Sequence, residues 1–100
     1  MACMAPDCVF EAAAGPDVAG ARHVGPEAVR RAYAAVFATY ADARWNQPRH
    51  VIAGNRAVSE WTFTGTTKDG ARVEVNGCDI FTLTGGRIAL KNSYRKQRRA

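Results

Sequence analysis

Past residue 40 the apolar residues stop recurring every three to four positions and begin to recur every second one. This change of period constrains the fold more than any other feature, because a helix stripe and a half-buried strand cannot share one pattern. Upstream of the switch, "GPEAVRRAYAAVFATYADA" sets Tyr33, Val36, Phe37 and Tyr40 at offsets of 4, 7, 8 and 11 from Val29, a single helical stripe. Gly25 suits the N-cap, Pro26 the first turn, and Glu27 the positive helix end. Arg30 and Arg31 fall off the stripe and face water. Downstream, "RWNQPRHVIAG" reads as a strand whose Pro48 marks an edge or a bulge. A Gly-Asn turn leads into "NRAVSEWTFTGTT", "KDG" turns into "ARVEVNGCDIFTL", and "TGG" turns into "RIALKNSYRK". Ahead of the helix, "DCVFEA" alternates well enough for a strand, and "AAGPDVAGARHVG" reads as a loop. The fold class expected is α+β: a curved antiparallel sheet wrapped around a helix. Asn76-Gly77, inside the longest strand, predicts a bulge that bends the sheet.

One hundred residues, 1–100, make a single small domain with one modest core. Apolar residues at 47% and charged residues at 23% exclude a disordered chain. No apolar run approaches the roughly 18 residues of a membrane helix. "MACMAPDCVFEAAAG" lacks a basic leader and is interrupted by Asp7, so no signal peptide is read and a cytoplasmic protein is expected. Cys3, Cys8 and Cys78 form no C-x-x-C pair, which points to reduced thiols and no metal site. The net charge of +5 owes much to a basic tail, 95–100, containing Arg95, Lys96, Arg98 and Arg99. Without a basic-aromatic strand or a recognition helix, that tail does not make a nucleic-acid-binding protein.

The segment "GCDIFTL" raises the main chemical question. Alternation puts Asp79, Phe81 and Leu83 on one side and Cys78, Ile80 and Thr82 on the other, and both sides carry apolar residues. Turned inward, Asp79 would be desolvated, and desolvation favours the neutral acid. A neutral carboxyl can donate to a developing enolate oxygen. The alternative is structural. A three-residue loop in "LTGGRI", with Gly86 at positive φ, sets Leu83 against Arg87 and Asp79 against Lys91, an ion pair with the acid charged. A two-residue loop would set Asn92 there instead.

Other residues carry weaker signals. Trp61 and Phe63 line a pocket or pack the core, and Tyr33, Phe37 and Tyr40 do the same from the helix. His23 and His50 have no acidic neighbour in sequence. Ser93 has no positioned base to make it a nucleophile. Glu60 and Glu74 are expected to face outward. Ile88, Leu90 and Tyr94 lie opposite Lys91, Ser93 and Arg95, an apolar outer strip that predicts a homodimer.

Taken together, "DCVFEAAAG", "GPEAVRRAY", "VSEWTFTG" and "GCDIFTLTGGRIALKNSYRK" resemble the SnoaL-like and ketosteroid isomerase-like branch of the nuclear transport factor 2-like superfamily. The resemblance runs from about Met4 to Lys96. It implies a cone, in which a bent sheet curls around helices over an apolar pocket, and dimers that pack through the outer sheet face. Family domains begin with about thirty further residues, in helices that close the cone. The resemblance therefore implies a short start, or a cone open on one side.

Three family chemistries can be compared position by position. The first-strand carboxylate of the isomerase branch falls at Ala12, and Glu11 beside it points to the other face. In limonene epoxide hydrolase-like members the arginine of the Asp-Arg-Asp set would fall at Trp61, its first aspartate at Phe63 and its second at Ser93, so all three are replaced. SnoaL-like cyclases need an acid/base aspartate, and the one surviving candidate is Asp79, which aligns with the acid that donates to the oxyanion in the isomerase branch; the resemblance makes it the catalytic candidate. Trp61, Phe63, Tyr33, Phe37, Lys91 and Ser93 become the candidate ligand-binding residues. The function implied is binding of an apolar ketone or phenol-like molecule, with proton transfer next to a carbonyl and neither metal nor organic cofactor. The alternative is a non-catalytic dimerisation or scaffold module with a vestigial pocket.

Overall fold

A computed structural model of the chain describes residues 4–97. Six strands and one helix follow in the order β1 (Met4–Glu11), β2 (Arg22–Val24), α1 (Pro26–Thr39), β3 (Arg44–Ala53), β4 (Arg56–Thr66), β5 (Arg72–Thr84) and β6 (Arg87–Arg95). The strands form one sheet in the order β2-β1-β6-β5-β4-β3, with α1 against one face. The helix begins where expected. Gly25, at φ 88°, turns the chain into Pro26, and its N–H donates to the Cys8 carbonyl at 2.7 Å, tying the helix start to β1.

Two features of the pairing differ from expectation. The sheet is not wholly antiparallel, because β1 runs parallel to β6. Its partner on the other side, β2, lies within the stretch read as loop. Three residues held by one neighbour leave too little alternation to register as a strand.

Of the two bulge signals in the sequence, Pro48 is borne out and Asn76-Gly77 is not. Pairing runs unbroken through Asn76 and Gly77, with Thr62 against Asn76 and Trp61 against Gly77. Gly77 is there for space: a Cβ on it would sit 2.5 Å from the Trp61 ring and 2.5 Å from the Tyr94 carbonyl oxygen. One real bulge is at Gln47-Pro48 on β3, where two residues oppose Trp61 alone. Gln47 takes φ 53° there, and β3 is an edge strand, where Pro48 removes no needed ladder donor. The other is on β6. The β5–β6 loop has two residues, Gly85 and Gly86, both at positive φ, and Ala89 is then the extra residue between the Leu83–Ile88 and Thr82–Leu90 pairs. Asp79 consequently pairs with Ser93, and neither Lys91 nor Asn92 stands opposite.

Because side chains alternate, each bulge re-aims everything beyond it. Trp45 and His50 are five positions apart, yet both share the helix-side face, as partners of Phe63 and Ser59. Ile88 likewise moves from the expected outer strip to the inner side, where it packs on the cluster of Cys8, Phe10 and Val29. Leu90 and Tyr94 remain outside, as partners of Thr82 and Cys78.

The core has two parts under one helix. Cys8, Phe10 and Val29 pack with Ala12, Ala32, Tyr33 and Ile88. Trp61, Phe63 and Val75 pack with Val36, Tyr40, Ala43 and Val73. The stripe read from the sequence thus spans both clusters, except Phe37, which is half exposed and meets Trp45 edge-on at 5.8 Å between centroids.

Candidate functional site

Asp79 lies on the helix-side face of β5 and is only 7% exposed. Both carboxylate oxygens are engaged. Trp61 Nε1–H donates to Oδ2 at 3.0 Å, and the Ser93 hydroxyl donates to Oδ1 at 2.5 Å. Lys91 Nζ stands 3.9 Å from Oδ2. An indole N–H and an ammonium can only donate, so this set suits a carboxylate anion. Asp79 thus faces inward, as parity suggested, but its partners fit the ion-paired, charged acid of the structural reading rather than a neutral donor.

Lys91 is held by more than Asp79. Its ammonium lies 4.6 Å from the Tyr33 ring centroid and 5.3 Å from that of Phe10, within cation–π range of both. Phe10 and Tyr33 are themselves edge-on at 5.3 Å. The helix thus contributes through Tyr33, β1 through Phe10, β4 through Trp61, and β6 through Lys91 and Ser93. Phe63 is fully buried under Tyr40, Trp45 and the Arg95 guanidinium, whose carbon is 5.0 Å from its centroid. Phe37 lies apart from this group, on the rim with Trp45.

Glu11, one residue from the position that carries the isomerase acid, pairs with Arg22 at 3.6 Å. Ala12 packs against the first core cluster. His23 stacks on Phe10 at 5.8 Å. On the outer face, burial with Asp79 and Glu60 nearby pushes the Cys78 thiol up, which holds it as an unreactive thiol. Among the described residues no group of three or more His, Cys, Asp or Glu is placed to hold a metal ion. No described helix is long and apolar enough to cross a membrane.

One contact was not legible from composition or spacing. His50 Nδ1 lies 2.6 Å from Ser59 Oγ, and Ser59 is the cross-strand partner of Asp79. The sequence signal for it was Pro48, which marks the bulge that turns His50 onto the helix-side face, where it stays exposed.

Away from Asp79, a depression of about 370 Å³ is lined by Asp42, Arg44, Asn46, Thr64 and Arg72. Asp42 follows the helix and clamps the end of β4, accepting from the Thr66 N–H and hydroxyl at 2.8 Å each, with Arg72 Nη1 at 3.3 Å. The Thr66 hydrogen bonds, aided by Arg72, hold the Asp42 carboxyl below its ordinary value. A group depressed in the folded state stabilises above its unfolded pKa, and that stability is lost as pH falls through the folded value. Asp42→Asn is therefore expected to lower the melting temperature at pH 7. The gap to the natural protein should close in melts run progressively further into acid.

With this geometry in hand, the chain can be compared with known proteins. The family model for the SnoaL-like domain matches residues 1–91. The chain belongs to the SnoaL-like domain family. A nuclear transport factor 2-like protein of unknown function from Mesorhizobium loti is 30% identical to this SnoaL-like domain. The match covers 96% of this chain and 74% of that one, with a TM-score of 0.74. A structure named as a SnoaL-like polyketide cyclase, from Jannaschia, gives a TM-score of 0.81 at 17% identity, covering 95% of this chain and 68% of the other. TerC, co-crystallised with polyporic acid, gives 0.77 at 19% identity, covering 94% and 74%. The last two show the shared fold. A search of curated proteins finds no match. The cone-like α+β architecture implied by the sequence resemblance is thus that of the SnoaL-like domain.

Proposed function

We propose that this SnoaL-like domain binds a flat, apolar small molecule bearing an oxygen function, such as a ketone or phenol, on the helix-side face of its sheet. The observation that carries the reading is the nearly buried Asp79, set among Trp61, Lys91 and Ser93 on the inner side. Lys91 offers a donor to a ligand oxygen, Ser93 offers acceptor lone pairs to a ligand hydroxyl, Trp61 and Tyr33 offer ring surface, and Phe63 backs them from below. TerC's co-crystallisation with polyporic acid supports small-molecule binding on this fold. Any chemistry would be proton transfer next to a carbonyl, with Asp79 as acid/base and Lys91 beside the developing enolate oxygen.

A second reading is a dimerisation module, favoured by the fact that both Asp79 oxygens already have protein donors. Its interface would be the outer face bearing Leu90, Tyr94, Val58 and Ile80. The two separate in one experiment. If the first holds, 2-naphthol raises the melting temperature, as any ligand of the native state must, and Asp79→Asn loses most of that rise while still folding. If no phenol or ketone moves the melt, and dilution alone lowers it, the dimer module is the correct account.

A further inference from the structure

Four polar side chains stand in one cross-strand row on the inner face: His50 on β3, Ser59 on β4, Asp79 on β5 and Ser93 on β6. Directly paired residues project to the same side of a sheet. Within the row the contacts form two separate couples. Asp79 takes the Ser93 hydroxyl at 2.5 Å, and His50 Nδ1 meets Ser59 Oγ at 2.6 Å. His50 and Asp79 are two strand spacings apart, roughly 10 Å. On one side of the row lie Ile52, Ala57 and Phe81, themselves cross-strand partners, and on the other lies Trp61 over Gly77. A polar strip with a couple at each end is thus flanked on β4 and β5 by Ala57, Phe81 and Trp61, and at its β6 end by Lys91 and Arg95.

From this arrangement we infer that His50 and Ser59 form a second polar station for the same ligand. The inference rests on the small-molecule reading above and deepens it: the molecule bound is a rigid, flat ring system with oxygen functions at both ends. One end meets Lys91 and Ser93 beside Asp79, and the other meets His50. With Nδ1 engaged by Ser59, the imidazole Nε2 is the group left to meet the ligand, and a neutral imidazole there can donate or accept. A fused bicycle bridges the two stations, whereas a molecule with one oxygen satisfies one of them. His50 and Ser59 are therefore specificity-determining residues, selecting for the second oxygen.

The test compares two probes by calorimetric titration: 2-naphthol, with one oxygen, and 2,6-dihydroxynaphthalene, with one at each end. A net hydrogen bond of about 0.5–1.5 kcal/mol predicts that the natural protein binds the diol about two- to tenfold more tightly. His50→Leu should bring that ratio to about one, Ser59→Ala should reduce it, and His50→Gln, which keeps a polar end, should retain part of it. A merely structural role would weaken both probes together and leave the ratio unchanged, which would overturn the inference. Equal affinity of the natural protein for the two probes would overturn it as well, while leaving the small-molecule reading standing. Failure of both probes to bind would remove that reading and the second station with it.

Discussion

Replacing Asp79 with alanine is expected to lower the unfolding free energy by about 3 kcal/mol, at the low end of the range for breaking a buried ion pair. The cause is the ammonium left behind. Lys91 would keep its place between the Tyr33 and Phe10 rings without a counter-charge. Its side chain is 21% exposed, so water offsets part of the loss. Trp61 Nε1–H would lose its acceptor in the same change. Removing both charges together, as Asp79→Leu with Lys91→Met, should restore much of the stability, because well-packed apolar pairs often replace buried ion pairs at little cost. Urea unfolding of Asp79→Leu, Lys91→Met and the double variant measures the coupling directly. If the double variant is as unstable as the sum of the singles, the carboxylate and the ammonium do not act as a pair.

The second large effect is expected at Phe63. Truncation to alanine should cost about 3–5 kcal/mol, the usual range for a fully buried phenylalanine. The ring is completely enclosed, with Tyr40 and Trp45 at 5.2 and 5.3 Å between centroids. Domains of this kind hold only about 5–15 kcal/mol in all, so the variant should melt close to working temperature or fail to accumulate folded. Phe37→Ala is the control. That ring is half exposed, and its loss should shift the melt far less. Similar losses at the two sites would mean that the helix-side face is not packed as described.

What the sequence made legible follows from how far each signal depends on neighbours. The helix stripe from Val29 to Tyr40 depends on nothing but local spacing, and α1 covers Pro26–Thr39. The three hairpin strands were equally plain, since each is long and bounded by glycine turns. The parallel partnership of β1 with β6 was not, because residues near Val9 and Leu90 leave no mark of their meeting. The inward side of β5 was read correctly from parity, but the partner of Asp79 was not. The Lys91 pairing assumed a three-residue loop and the Asn92 alternative a two-residue one; the loop has two residues, and the bulge at Ala89 then moves the partner on to Ser93. The contact with Lys91 survived that error only because a lysine side chain is long enough to reach diagonally. His50 has no acidic neighbour along the chain, and its contact with Ser59 lies across the sheet, where sequence spacing gives no sign of it. A glycine that seemed to signal a kink, Gly77, turned out to leave room for an indole ring.

The parallel pairing of β1 with β6 has a bearing on how the protein is made. The first and last strands described lie side by side in the middle of the sheet. Until β6 arrives, β1 with β2 forms one hydrogen-bonded fragment and β3, β4 and β5 form another, bridged by the helix alone. A nascent chain must therefore hold two unfinished ladders, with the edges of β1 and β5 bare, until synthesis has passed Arg95. Such long-range closure is slow and leaves strands open to wrong partners. Yield in a foreign host should accordingly depend on chaperone supply and on growth temperature.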